Sequence, residues 1–136
     1  MRFNTLTGAT RTVKKVKNYL IDWDGKSRSK IQFNTKQFLK KHWLKHVVFE
    51  EFPVAGTRLS LDFYNANKKI AIEVQGRQHT KYVPFFHGNN KINFLNQLKR
   101  DQDKFKFCEL NDIKLVEIYE GEKASEKLFE SFGVIL

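Results

Sequence analysis

Two acids, Asp62 and Glu73, stand in runs whose spacing sets them face to face. In Leu59–Tyr64, Leu59, Leu61 and Phe63 alternate with Ser60, Asp62 and Tyr64. In Lys69–Gln75, Ile70, Ile72 and Val74 alternate with Ala71, Glu73 and Gln75. Period-two alternation of apolar and polar residues is the mark of a half-buried strand. A turn over residues 66–69 would close the two runs into a hairpin pairing Asn65 with Ile70, Tyr64 with Ala71, Asp62 with Glu73 and Ser60 with Gln75. Cross-strand neighbours have Cβ atoms about 5 Å apart, and like charges so placed repel. Such a pair either holds a proton or holds a divalent cation between its members. The cation is the expectation taken forward, with Asp62 and Glu73 as ligands.

The elements that must position this pair follow from the rest of the pattern. Ser27 or Ser29 caps a helix running to about Trp43, with Ile31, Phe38, Leu39 and Trp43 along one side and lysines on the other. Val47–Val54 is a first strand, ended by Pro53 and Gly56, and the hairpin supplies two more. Residues 76–90 form a long loop with His79 and His87. A helix from about Lys91 to Leu110 carries Leu95, Leu98, Phe105 and Cys108 inward. Ile113–Tyr119 is a fourth strand and Ala124–Phe132 a closing helix. The order implies an α/β fold with a mixed four-stranded sheet flanked by helices. Before it, Asp22–Gly25 reads as a turn, Val13–Ile21 as a short helix or strand, and residues 1–12 as disordered.

With 136 residues, 40% of them hydrophobic, and 13 Phe, the chain suits one domain with a real core: a basic arm over about 1–26 and a core over about 27–132. The start lacks an apolar leader and no run of about 18 apolar residues occurs, which implies a soluble protein in the cytoplasm with no membrane partner. The single cysteine, Cys108, excludes an internal disulfide or a Cys-based zinc site. The net charge of +10 is all in residues 1–49, which hold 12 Lys/Arg against 2 acids; the remainder balances 13 against 13. Lys14, Lys15, Lys17, Lys26, Arg28, Lys30, Lys36, Lys40 and Lys41 are interleaved with Tyr19, Trp23, Phe33 and Trp43. A basic segment that also packs reads as a polyphosphate-binding surface, with DNA the expected partner.

Asp62, ten residues, then Glu73-Val74-Gln75 resembles the core motif of the PD-(D/E)XK nuclease superfamily. The wordings Leu-Asp-Phe-Tyr, Ile-Glu-Val-Gln-Gly-Arg-Gln-His and Lys-Arg-Asp-Gln-Asp-Lys are similar to its very-short-patch-repair-like branch, which also includes small phage nucleases and free-standing homing endonucleases. The resemblance spans about Lys26 to Tyr119. It implies a restriction-endonuclease-like core and a DNA endonuclease dependent on Mg²⁺, with Mn²⁺ as a substitute, and a possible homodimer if both strands are cut. Carboxylate-held Mg²⁺ activates water and stabilises charge on a phosphodiester. Asp62, Glu73 and the carbonyl of Val74 are the implied ligands. Gln75, in place of the usual lysine, would orient the attacking water, and His79 would accept its proton. Lys104 or Arg100, on one stripe with Gln97, would supply the displaced positive charge. Arg77 and Arg100 join the basic N-terminal residues as DNA contacts, and Asp101 matches an acidic position of the branch. The branch's first-helix glutamate has no counterpart between Ser27 and Phe49. Alternative functions are a junction- or branch-selective nuclease and a non-catalytic nucleic-acid-binding module of the same fold.

Overall fold

Lys69 takes a left-handed backbone (φ 55°), Asn65 Oδ1 accepts from the Lys68 N–H at 3.0 Å, and the chain turns between β4 (Ser60–Asn65) and β5 (Ile70–Val74). The register in the computed structural model is Asn65↔Ile70, Tyr64↔Ala71 and Phe63↔Ile72, as the alternation implies. The residues described are 1–74, 91–119 and 121–136. The 76–90 loop therefore lies outside the described residues, as do Gln75, Arg77, His79 and His87.

β3 (Val48–Pro53) pairs antiparallel with β4, and β6 (Lys114–Ile118) lies parallel to β5, giving a mixed sheet in the order β3-β4-β5-β6. A parallel neighbour needs a crossover, and α2 (Lys91–Leu110) lies on it. Leu39 and Trp43 of α1 (Lys30–Trp43) join Phe129 of α3 (Glu126–Ser131) against Val48, Phe63, Ile72 and Val116 on one face. On the other, Phe107 and Cys108 of α2 pack with Phe49, Phe52 and Tyr64. The fold is α/β, a four-stranded mixed sheet flanked by helices. Among the described residues no helix is long and apolar enough to cross a membrane.

Four sequence expectations are corrected. Residues 1–12 are not disordered: β1 (Arg2–Asn4) and β2 (Thr10–Thr12) form a hairpin. Phe3, only 6% exposed, sets its ring 5.7 Å from Phe52 and 5.5 Å from Phe107, and Asn4 exchanges hydrogen bonds with Asn111. One aromatic docked on the α2 face is enough to hold a three-residue strand that composition marks as a tail.

Second, Leu61 and Phe63 do not share a face. Leu61 packs with Tyr64 on the α2 side and Phe63 on the α1 side. The alternation breaks opposite Glu51, whose left-handed backbone (φ 55°) also puts Phe49 and Phe52 in one cluster while the β3–β4 register continues without an extra residue.

Third, Ile31 is exposed, and α1 turns Gln32, Thr35, Lys36, Leu39 and Trp43 inward from its Ser29 cap. Lys36 is fully buried, so it is no part of a phosphate-facing surface. Its ammonium donates to Glu50 at 3.0 Å and to the Gly25 carbonyl at 2.8 Å, which offsets the cost of its burial.

Fourth, Leu95 and Phe105 point outward and Leu98 is half-buried; Phe94, Phe107 and Cys108 seat α2, leaving its middle inward positions to polar residues.

Truncation of a large buried ring costs about 3 kcal/mol or more. Phe3→Ala is therefore expected to lower the unfolding free energy by about 3 kcal/mol in urea titrations; a change within error would mean that the hairpin does not dock.

Candidate active site: an acid pair and a lysine between β4, β5 and α2

Beyond Phe63↔Ile72 the ladder between β4 and β5 is carried by side chains. The Asp62 backbone N–H donates to Glu73 Oε2 at 2.8 Å, and the Val74 N–H donates to Asp62 Oδ2 at 2.8 Å. Each acid thus satisfies an amide of the opposite strand, and both are held almost out of solvent, Asp62 at 8% exposure and Glu73 at 4%. Buried amides rarely go unpaired, so the twist at Glu51 and the crossed carboxylates are two sides of one local arrangement.

α2 closes the site. Its inward stripe runs Phe94, Gln97, Asp101, Lys104 and Cys108, spaced three and four residues apart with apolar residues at the ends. Lys104 Nζ donates to the second oxygen of Glu73, Oε1, at 2.5 Å. Arg100 and Asp101 line the cleft with Gln97, whose buried Oε1 has no hydrogen-bond partner among the described residues. On the opposite wall Arg28, which precedes α1, pairs with Glu51. Gln32 Nε2 donates to Glu50 at 2.9 Å and to Glu51 at 3.0 Å, tying α1 to the twisted part of β3.

Burial pushes both acids up from the usual carboxylate range. For Asp62 the Val74 N–H and the charge of Lys104 oppose the shift. For Glu73 the neighbouring Asp62 charge adds to burial, and Lys104 only partly offsets them. One lysine against two buried carboxylates leaves an excess negative charge, which a proton or a cation can balance. Burial also pushes the Cys108 thiol up to about 12, so it is no nucleophile.

Among the described residues no group of three or more His, Cys, Asp or Glu side chains forms a metal-binding cluster. A metal here would rest on two carboxylates, with water completing its shell, which suits Mg²⁺.

Asp62, Glu73, Val74, Lys104 and Arg100 are brought together, and Arg28 joins them from the basic segment. Lys14, Lys15, Lys17, Lys26, Lys30 and Lys41 are exposed but do not line the cleft, and Lys40 is paired with Asp24 at 2.8 Å. Sequence reasoning missed the Lys36–Glu50 pair and the Gln32 bridge. The available signal was the phase of α1, which places residues 32, 36, 39 and 43 on one side.

Three viral proteins are similar to part of the chain. Uncharacterized protein 094L of frog virus 3 (isolate Goorha) is 42% identical over 66 residues, 48% of this chain and 43% of that protein. Uncharacterized protein 307L of invertebrate iridescent virus 6 is 40% identical over 60 residues, 44% and 30% respectively. Uncharacterized protein 033L of invertebrate iridescent virus 3 is 35% identical over 66 residues, 48% and 34%. The chain thus spans less than half the length of these curated relatives, and none of the three is a phage protein. No family model matches the chain. No solved structure matches it.

The raised acids give stability a pH dependence with a definite sign. The folded chain keeps their protons where the unfolded chain has lost them, so their contribution is fully present below the ordinary carboxylate range and is lost as pH rises toward neutrality. In chelator the wild type is expected to melt at a lower temperature near pH 7.5 than near about pH 5. Asp62→Asn/Glu73→Gln should show a flatter profile and melt at or above wild type near neutrality. A double mutant clearly less stable than wild type at pH 7.5 would mean that the charged forms are the structural ones.

Proposed function

We propose that the Asp62–Glu73–Lys104 cleft is the catalytic centre of a metal-dependent deoxyribonuclease with a restriction-endonuclease-like core, cutting duplex DNA at selected sites. The observation that carries this reading is the buried acid pair, crossed onto the two strand backbones with a lysine ammonium on Glu73. This is the donor set a PD-(D/E)XK centre needs, with the third-position lysine of that pattern supplied from α2. Asp62 and Glu73 would hold Mg²⁺, which when bound makes water nucleophilic near neutral pH and stabilises charge on phosphate.

The chain's own residues do the remaining work. Both acids must be ionised to bind a cation, so their raised affinity for protons makes binding weaken as pH falls. Lys104, anchored against the sheet by Phe107 and Cys108 one turn later, keeps its ammonium beside the acid pair. There it meets the negative charge that builds on the phosphoryl oxygens as water adds to phosphorus and the P–O bond to the leaving oxygen breaks. Arg28 and Arg100 on the cleft walls suit the flanking phosphates. Gln75 and His79 belong to this reading by resemblance alone, as water-orienting and proton-accepting groups.

Asp62→Asn and Glu73→Gln are each expected to abolish cleavage of supercoiled plasmid in Mg²⁺ while leaving DNA affinity equal or improved, because each removes a charge that repels phosphate. Lys104→Ala should lower turnover more than binding, since its charge acts chiefly in the transition state. Activity within about tenfold of wild type in either acid mutant would remove the metal site. Mg²⁺-independent DNA binding with no cleavage of plasmid, random duplex or four-way junction would favour the binding module, and cleavage of the junction alone the structure-selective nuclease.

The basic N-terminal third predicts the salt dependence of binding. With about five to eight phosphates contacted, log K should fall against log salt with a slope of roughly −4 to −7. Lys14→Ala/Lys15→Ala should flatten it by up to about two units, and Lys40→Ala/Lys41→Ala by less, because Asp24 already neutralises Lys40. Unchanged slopes for both pairs would place DNA elsewhere.

A further inference from the structure

One flank of α2, beside its inward stripe, carries Lys91, Leu95, Leu98, Gln102, Phe105 and Glu109, spaced four, three, four, three and four residues apart. That is the seam of a helix that packs along another helix. Leu95 is 57% and Phe105 56% exposed, and Leu98 is half-buried. The seam is also symmetric about residue 100. Laid antiparallel on a second copy, Lys91 faces Glu109, Leu95 faces Phe105 and Leu98 faces Gln102, each contact occurring twice about a two-fold axis.

The charges at the helix ends point the same way. A helix favours acids in its first turn and bases in its last, yet α2 has no acid in its first turn and no base in its last, while Lys91 opens it and Glu109 stands one residue before its end. Neither forms an ion pair among the described residues. Both charges are placed against their own helix dipole and in favour of the antiparallel neighbour's. We infer that α2 pairs with α2 of a second copy of this chain as an antiparallel two-fold dimer in the register Lys91–Glu109, Leu95–Phe105, Leu98–Gln102.

The register is set by the helix ends, because sliding the helices would part Lys91 from Glu109 at both of them. One helix pair buries an area on the order of 1,000 Å², at the low end for specific interfaces, so association falls in the micromolar range. The neighbouring stripe of the helix, Phe94 to Cys108, carries Lys104 and seats it on Glu73. The dimer does not depend on what chemistry the clefts perform.

Sedimentation of the full chain without DNA, from about 1 to 100 µM, should show the mass rising from 16.1 kDa toward twice that value. Lys91→Glu and Glu109→Lys each turn two attractions into two repulsions and should weaken dimerisation by about tenfold or more. The double reversal Lys91→Glu/Glu109→Lys restores both pairs and should recover wild-type association. Leu95→Asp should leave a monomer with unchanged circular dichroism. A monomer throughout, a dimer indifferent to the single reversals, or a double reversal that fails to recover would each overturn the inference; the positions are exposed, so folding is not at stake in the charge variants.

Discussion

The rest of the site depends on one constraint: two carboxylates are shut between neighbouring strands with little water to screen them. Their geometry survives because each acid does a backbone's work, Glu73 accepting from the Asp62 amide and Asp62 from the Val74 amide. An amide left unpaired there would cost on the order of 1–3 kcal/mol, comparable to the repulsion the acids bring. The ladder therefore gives up regular pairing and gains a charged cleft. Lys104 answers part of that charge and leaves the remainder for a proton or cation.

What surrounds the pair is arranged to keep it still. On one wall α2 is seated by Phe94, Phe107 and Cys108, so its polar middle faces the acids without sliding. On the other wall the buried Lys36–Glu50 pair and the Gln32 bridge pin α1 to β3 beside Asp62. Buried ion pairs add little net stability, but losing one partner strands the other charge, so they resist rearrangement. The basic N-terminal segment passes along the β3 edge, where Leu20 bridges Phe49 and the Ile21 N–H donates to the Val48 carbonyl at 3.0 Å. It contributes Arg28 to the cleft and leaves most of its lysines outside.

The proteins of frog virus 3 and two invertebrate iridescent viruses are each similar to less than half of this chain, over less than half of their own length. Function has to be read from the site, since folds of this class host many chemistries.

The sequence by itself determined the elements that rest on local periodicity. The β4–β5 register from Phe63 to Ile72, a serine cap before α1, the bounds of α2 and the existence of a fourth strand follow from residues within one turn, one hairpin or one run. The opposition of Asp62 and Glu73 and a cation from α2 were legible for the same reason. Tertiary structure alone decided what depends on contacts distant in sequence. Phe3 becomes core because Phe52 and Phe107 converge on it, and Lys36 is buried because Glu50 and the Gly25 carbonyl wait at its end. Likewise Lys104, not Arg100, reaches Glu73, and α2 turns Leu95 and Phe105 outward, because the sheet needs Phe107 and Cys108. A helix has no intrinsic inside; its buried face is whichever one the sheet accepts, and spacing along one chain cannot contain that choice.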